Sequence, residues 1–267
     1  MKEKLNILLT NDDGIRSPGL WAAAGALSAL GYVTVAAPRE QSSGMGRSLP
    51  NDSDGLIREE KVQVNGQEWK VYAVGGSPAQ AVLHGILEIM PQPPDLVVSG
   101  INYGENLGLG ITVSGTVGAA MEAAGQGIPA LAMSLQADAR YHRSYSNEVN
   151  FTASAHFTLL FARLLLEKGP FEGVDLLKVD VPSDATPTTP WEITRLAPQE
   201  YYQSLKPERA SWDVPGTLNY REAADLEDSP TDSDVFVMRR ERRVSVTPLT
   251  LDMTARVDLQ DFDRQLR

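Results

Sequence analysis

The feature that most constrains the fold is the succession over residues 5–38. "LNILLT" (5–10) is a near-continuous apolar run, the pattern of a parallel strand covered on both faces. "SPGLWAAAGALSALG" (17–31) follows with helix punctuation: Ser17 at the N-cap, Pro18 at the first helical position, an alanine-rich interior and Gly31 as the stop. "YVTVAAP" (32–38) reads as a second strand. Strand, helix and strand form a β-α-β unit with a right-handed crossover, and a chain that begins this way folds as a layered α/β protein.

The rest of the chain repeats the theme. Residues 39–56 read as a long loop rich in Ser, Gly, Pro and Asp, and "KVQVNGQEWKVYAV" (61–74) as two alternating strands around Asn65-Gly66. A capped helix over 77–90, a buried strand "DLVVSG" (95–100), a small-residue helix over 116–127, a strand over 129–134, a long helix over 148–169 and a strand over 174–182 complete the pattern. From about Trp191 the composition shifts to prolines, acids and isolated aromatics, until "DVFVMRRERRVSVTPL" (234–249) reads as a hairpin or strand pair. The expected architecture is a Rossmann-like, mostly parallel sheet flanked by helices over 1–185. Residues 186–267 are expected to form an extended or hairpin appendage of the kind that completes a partner subunit.

In an open sheet of this type, ligands bind at the carboxyl ends of the strands near a switch in strand order. Three strand ends are chemically loaded. The first, "TNDDG" (10–14), places Asp12 and Asp13 side by side. Like charges about 4 Å apart repel by up to roughly 4 kcal/mol at an effective dielectric of 20. If the strand breaks at the turn that Gly14 allows, both carboxylates can converge on one ion; the alternative is a solvated Asx-turn. The second, "APREQSSGMGRS" (37–48), offers the hydroxyls of Ser42, Ser43 and Ser48 and a glycine-rich backbone, or is simply a loop. The third, "SGINYGENLGLGITVSGT" (99–116), supplies Asn102 and Asn106 and opens a helix at Ser114-Gly115-Thr116, whose free amides make an anion site. It is neither a Walker loop nor a GxGxxG fingerprint, and its small residues also suit tight helix–strand packing.

Two carboxylates, a hydroxyl and an amide oxygen make a hard-cation site suited to one Mg2+, Mn2+ or Ca2+. With no cysteine in the chain, thiolate–zinc, iron–sulfur and disulfide chemistry are excluded, and His84, His142 and His156 fall in no metal-binding spacing. Beside such an ion, the Ser114–Thr116 amides would hold a phosphate, which points to phosphoryl transfer to water. A net charge of −11 argues against a nucleic-acid polymer as partner but leaves room for single nucleotides. No segment has the roughly 18 apolar residues of a membrane span. The apolar run after the N-terminus, Leu5 to Leu9, is too short for a signal-peptide core, so a cytoplasmic protein is expected.

The stretches "ILLTNDDGI", "VAAPREQSSGMG", "VVSGINYGENLG", "VSGTVGAAMEA" and "VSVTPLTLDMT" resemble, in order, the signature blocks of the stationary-phase survival protein SurE family. The resemblance runs from residue 5 to about 254, and the first and fourth blocks together are highly specific. It implies a divalent-metal-dependent phosphatase that hydrolyses nucleoside 5′- and 3′-monophosphates, with short polyphosphate as a further substrate of some members. The family's metal ligands fall on Asp12, Asp13, Ser43 and Asn102, and its phosphate-binding positions on Asn106, Ser114, Gly115 and Thr116. It further implies a homodimer with an exchanged C-terminal extension, sometimes assembled into tetramers. Three departures stand out. Arg39 takes the place of the usual Asp, Ser77 and Gln80 in "GSPAQ" replace Thr and Asp, and residues 47–60 depart from the usual continuation. None removes a metal ligand; they bear on substrate preference, because that loop borders the expected pocket.

In the expected mechanism, Asp12 and Asp13 share the ion, and either can take the proton of the attacking water or serve as a covalent nucleophile. Two rivals come from other classes. A phospho-acceptor signalling module would need a further acid at a later strand end, where this chain has "SGIN". A non-catalytic nucleotide-binding oligomer would differ by failing to release phosphate.

Overall fold

The structure, a computed structural model, describes residues 4–64, 66–142, 144–146, 148–223 and 228–267. Residues Leu5–Thr10 form β1, Pro18–Leu27 form α1, and Gly31–Pro38 return as β2. β1 and β2 pair in parallel, Leu5 opposite Gly31 and Leu9 opposite Val35. Ser17 occupies the N-cap position and Pro18 the first turn, but the Ser17 hydroxyl makes no capping bond. The helix stops at Leu27, earlier than the expected Gly31. The chain turns back at once, the Leu30 amide donating to the Leu27 carbonyl at 2.9 Å, and Gly31 opens the next strand.

β3 (Ile57–Val64) and β4 (Gln67–Val74) pair antiparallel, with Val64 opposite Gln67. Of the turn expected between them, Asn65 lies outside the described residues. α2 (Pro78–His84) starts in a capping box, Ser77 accepting from the Gln80 amide while Gln80 reaches back to the Ser77 amide. A π-helical turn over Gly85–Ile89 prolongs it. β5 (Leu96–Tyr103), α3 (Gly115–Gly125), β6 (Ala130–Leu135), α4 (Thr152–Lys168) and β7 (Leu176–Val181) then follow. The C-terminal part contains β8 (Trp191–Ile193), β9 (Tyr202–Leu205), β10 (Asn219–Glu222), a helical turn α5 (Asp234–Phe236), β11 (Val244–Leu249) and α6 (Leu259–Leu266).

Nine strands make the main sheet, in the order β3-β4-β2-β1-β5-β6-β7-β11-β8. From β4 to β7 every neighbouring pair is parallel. The order runs outward from β1 through β2 on one side and from β5 through β6 and β7 on the other, so the switch point lies between β1 and β5. The apolar run of β1 is explained by its two faces. Ile7 and Leu9 pack with Leu20, Trp21, Phe157 and Phe161 on one side, while Leu8 packs with Val82, Val117 and Ala120 on the other. Alternation with period two thus feeds both helical layers, and each fully buried aliphatic side chain contributes roughly 1.5–3 kcal/mol.

The C-terminal part departs from expectation in one respect. Residues 234–249 are not a hairpin: Asp234–Phe236 and a π-helical turn over Val237–Glu241 are helical, and only Val244–Leu249 is a strand. Ser233 starts the helical segment by accepting from the Phe236 amide at 3.2 Å, and Arg242, at φ 55°, ends it. β11 pairs antiparallel with β7, and β8 runs parallel to β11, so residues beyond 185 extend the main sheet. The antiparallel pair in this region is instead β9 with β10.

Candidate active site

At the end of β1 the backbone turns through an Asx motif. The Asn11 Oδ1 accepts from the Gly14 amide and its Nδ2 donates to the Gly14 carbonyl, both at 3.1 Å. Gly14 holds φ at 97°, a conformation that glycine adopts without strain. The turn stops the strand as the sequence requires and leaves Asp12 and Asp13 at the switch point, 4% and 2% exposed.

The two carboxylates have different partners. Asp12 faces α3: the Thr116 Oγ1 donates to its Oδ1 at 2.6 Å. Gly115 approaches so closely that a Cβ there would sit 2.7 Å from the Asp12 Cβ, so only glycine fits. Asp13 faces β5 and the loop after β2. The Tyr103 amide donates to its Oδ2 and the Gln41 Nε2 to its Oδ1, each at 3.2 Å. Burial raises the Asp12 carboxyl above its ordinary value, against the pull of Thr116 and the amides at the α3 N-terminus. Burial, and then the charge of Asp12, raise Asp13 well above its own. Among the described residues, no Lys, Arg or His pairs with either acid.

The other expected residues gather around them. Ser43 lies on an exposed loop, one residue after Ser42, whose amide donates to the Asp12 carbonyl at 2.7 Å. Asn102 is near the end of β5; its Nδ2 donates to the Gly104 carbonyl at 2.8 Å, and among the described residues its Oδ1 has no hydrogen-bond partner. Ser114 caps α3 by accepting from the Val117 amide at 3.1 Å, which leaves its hydroxyl hydrogen to donate elsewhere. The one hydroxyl hydrogen of Thr116 is committed to Asp12, so Thr116 offers a ligand only its backbone amide. Asn106 donates from Nδ2 to the Ser134 Oγ at 2.8 Å. Ser134 stands opposite Asn102 in the β5–β6 register, so the Asn106 amide is tied to the strand next to that of Asn102.

These oxygens fit a hard divalent cation. Two buried carboxylates with no cationic partner among the described residues stand at the end of β1, and Asn102 stands near the end of the neighbouring β5, an all-oxygen donor set. Among the described residues no three His, Cys, Asp or Glu side chains cluster as a metal site. A cation held by this pair would have to draw its further ligands from neutral oxygens.

Several residues that shape the site carried no signal in the sequence. Gln41 bridges Asp13 and the His142 carbonyl, the latter at 2.6 Å. Glu105 is buried between the two asparagines and accepts from the Tyr201 hydroxyl at 2.6 Å, which ties the C-terminal part to the loop after β5. The three departures belong to one unit. Arg39 pairs with Asp54 at 3.0 Å, and Ser77 donates to the Ser48 carbonyl at 2.6 Å. Gln80 accepts from the Ser53 hydroxyl at 2.7 Å and donates to the Pro50 carbonyl at 3.0 Å. Together they hold the loop that borders an open cleft of about 330 Å³ lined by Arg39, Gln41, Ser42 and Asp54. A larger groove of about 700 Å³ between α1 and β3 contains none of the residues at the strand ends.

The chain is similar to known proteins along nearly its whole length. The family model described as Survival protein SurE matches residues 7–203. The chain is 45% identical over 263 residues to the 5′-nucleotidase SurE of Thermococcus gammatolerans, covering 98% of this chain and 96% of the relative. It is 40% identical over 270 residues to the 5′-nucleotidase SurE of Methanocella arvoryzae, covering 98% and 97%. Among solved structures, that of the SurE protein from Aquifex aeolicus superposes with a TM-score of 0.77 at 29% identity, covering 98% of this chain and 100% of that one.

Proposed function

The chain belongs to the SurE family, and from that membership we propose that it is a 5′-nucleotidase whose hydrolysis of nucleoside 5′-monophosphates depends on one divalent cation. The observation that carries the cation requirement is the buried Asp12–Asp13 pair, which has no cationic side chain among the described residues to offset its charge. Asp12, Asp13, Ser43 and Asn102 would hold the ion. When bound, Mg2+, Mn2+ or Ca2+ would supply Lewis-acid polarisation of a phosphoryl oxygen and ease the deprotonation of water.

The chain's own groups bind and orient. Thr116 fixes the Asp12 carboxylate, and Gln41 with the Tyr103 amide fixes that of Asp13. The free hydrogens of the Asn106 Nδ2 and the Ser114 hydroxyl, with the Gly115 and Thr116 amides, face the phosphoryl oxygens, where charge builds up as the P–O bond to the nucleoside breaks. The oxygen of a water forms the new bond to phosphorus as the P–O bond to the nucleoside breaks, Asp12 or Asp13 takes the proton that this water gives up, and the leaving nucleoside oxygen ends with a proton, so nucleoside and phosphate are released. Because these donors contact only phosphoryl oxygens, the reading extends to nucleoside 3′-monophosphates and short polyphosphate.

The acidic surface, with a net charge of −11, disfavours a nucleic-acid polymer as substrate. Among the described residues no helix is long and apolar enough to cross a membrane. A cytoplasmic homodimer or homotetramer fits the exposed apolar side chains of Leu259, Phe262 and Leu266 on α6.

The test is phosphate release from a panel of nucleoside 5′- and 3′-monophosphates in EDTA and then with Mg2+, Mn2+ or Ca2+. Turnover that appears only with a cation is expected. Folded protein that releases no phosphate with any of the three would overturn the reading in favour of a binding role.

A further inference from the structure

Behind Asn106 lies a group of charges that the proposed chemistry does not use. Lys178 and Asp180 occupy alternate positions of β7 and share one face with Asp234 of α5; all three side chains are 0% exposed. The Lys178 ammonium spends its three N–H donors on the Asn106 carbonyl at 2.8 Å, the Asp180 Oδ2 at 2.6 Å and the Asp234 Oδ2 at 3.1 Å. The Asp180 Oδ1 accepts from the Asn106 amide at 2.7 Å. Asp234 accepts from the Gly108 amide at 3.0 Å and, on its other oxygen, from the Ala197 amide at 2.9 Å. Both backbone polar groups of Asn106 are therefore bound by charged groups of the cluster, while its side-chain amide is bound by Ser134.

Stability alone does not account for this arrangement. Buried ion clusters are often no more stabilising than apolar residues of the same volume, yet here Lys178 and Asp180 both bind the backbone of one loop residue, and Asp234 holds Lys178 in place for it. What the cluster secures is geometry. With N, O and one Nδ2 hydrogen occupied, Asn106 has one N–H left to donate, in a fixed direction, and a misplacement of about 1 Å at such a donor can cost 10²-fold.

We propose that Ser134, Lys178, Asp180 and Asp234 are positioning residues that hold the Asn106 amide in place as a phosphate ligand. The inference rests on the phosphatase reading of the site and adds to it the residues that set its affinity for the phosphoryl group.

The test is a double-mutant cycle with adenosine 5′-monophosphate as substrate and inorganic phosphate as inhibitor, while Mn2+ affinity is measured separately by titration. The variants are Ser134→Ala and Asp180→Asn, each alone and combined with Asn106→Ala. Asn106→Ala, Ser134→Ala and Asp180→Asn are each expected to raise KM and the phosphate inhibition constant about tenfold, the weight of one hydrogen bond to a charged group. Mn2+ affinity stays unchanged, and Ser134→Ala adds nothing once Asn106 is Ala, because its effect passes through that side chain. Ser134→Ala removes only a hydroxyl, so it serves even if Asp180→Asn fails to fold. Full additivity in the double variant, unchanged phosphate affinity in Ser134→Ala, or a parallel fall in Mn2+ affinity would overturn the inference and leave the phosphatase reading standing. If Asn106→Ala leaves phosphate affinity unchanged, the role given to Asn106 falls and this inference with it. Absence of turnover in the unmutated protein with every cation would overturn the phosphatase reading itself.

Discussion

Replacing Asp13 by Asn is expected to lower turnover of nucleoside 5′-monophosphates by about 10³-fold or more, and at the same time to stabilise the protein in EDTA. The loss follows from the cation's share in the reaction, several kcal/mol of charge stabilisation, at one factor of ten for each ~1.4 kcal/mol. The gain in stability follows from the buried acid pair. Burial first, and Asp12 second, push the Asp13 carboxyl well above its ordinary value, so the folded state binds its proton more tightly than the unfolded chain does. Stability of the cation-free protein therefore falls as pH rises from the ordinary carboxylate range towards that raised value. Asparagine keeps an oxygen to accept from the Tyr103 amide and carries no charge, so this loss disappears. Thermal midpoints in EDTA across pH 4–8, beside initial rates with Mn2+, check both halves. A slower enzyme with no change in its EDTA midpoint would separate catalysis from the charge pair.

The largest expected effect on stability comes from Lys178→Met. It removes the one cation among Lys178, Asp180 and Asp234 and leaves two fully buried carboxylates facing each other. Removing one partner of a buried ion pair costs about 3–5 kcal/mol. For a chain of this size that lowers the thermal midpoint by about 10 °C. The ammonium is held in its charged form by the two carboxylates against the cost of burial, and burial pushes Asp180 up to about 6 even with Lys178 beside it. Without Lys178, Asp180 loses the pull that lowers its carboxyl and protonation becomes the remaining way to relieve the pair, so the variant is expected to recover more stability on acidification than the unmutated protein, with the recovery beginning above about pH 6. Thermal unfolding across pH checks this. A midpoint within 2 °C of the unmutated protein at pH 7 would contradict the assigned charges.

The parts of the fold that were legible in the sequence are those specified by neighbours in the chain. The run Leu5–Thr10, Pro18 at the start of a helix and the strand ending at Pro38 use local period and local punctuation, and each falls where expected. The acid pair was legible for the same reason: two adjacent carboxylates before a glycine need a turn, and the Asn11–Gly14 motif provides it.

What was hidden depends on partners far along the chain. The run "VFV" is β-branched and aromatic as in a strand, but Asp234 is drawn inward by Lys178, 56 residues away, and Ser233 caps a helical turn. In "LLKVDV" nothing local marks Lys178 and Asp180 as buried partners of a distant acid; the return of residues 234–249 covers them. Asp13 takes one hydrogen bond from the Tyr103 amide, a donor present at every residue but proline and so invisible in a side-chain motif. Thr116 shows the converse. Its place in the motif was plain, but its hydroxyl turns to Asp12, which makes its side chain an orienting group for that carboxylate.

The most direct measurement is a titration of the EDTA-stripped protein with Mn2+, followed by electron paramagnetic resonance of the free ion, for the unmutated chain and for Asp12→Asn and Asp13→Asn. One bound Mn2+ per chain, weakened at least tenfold in each variant, is the result expected if the two acids lie together to hold a cation. Unchanged Mn2+ binding in both variants would contradict that claim.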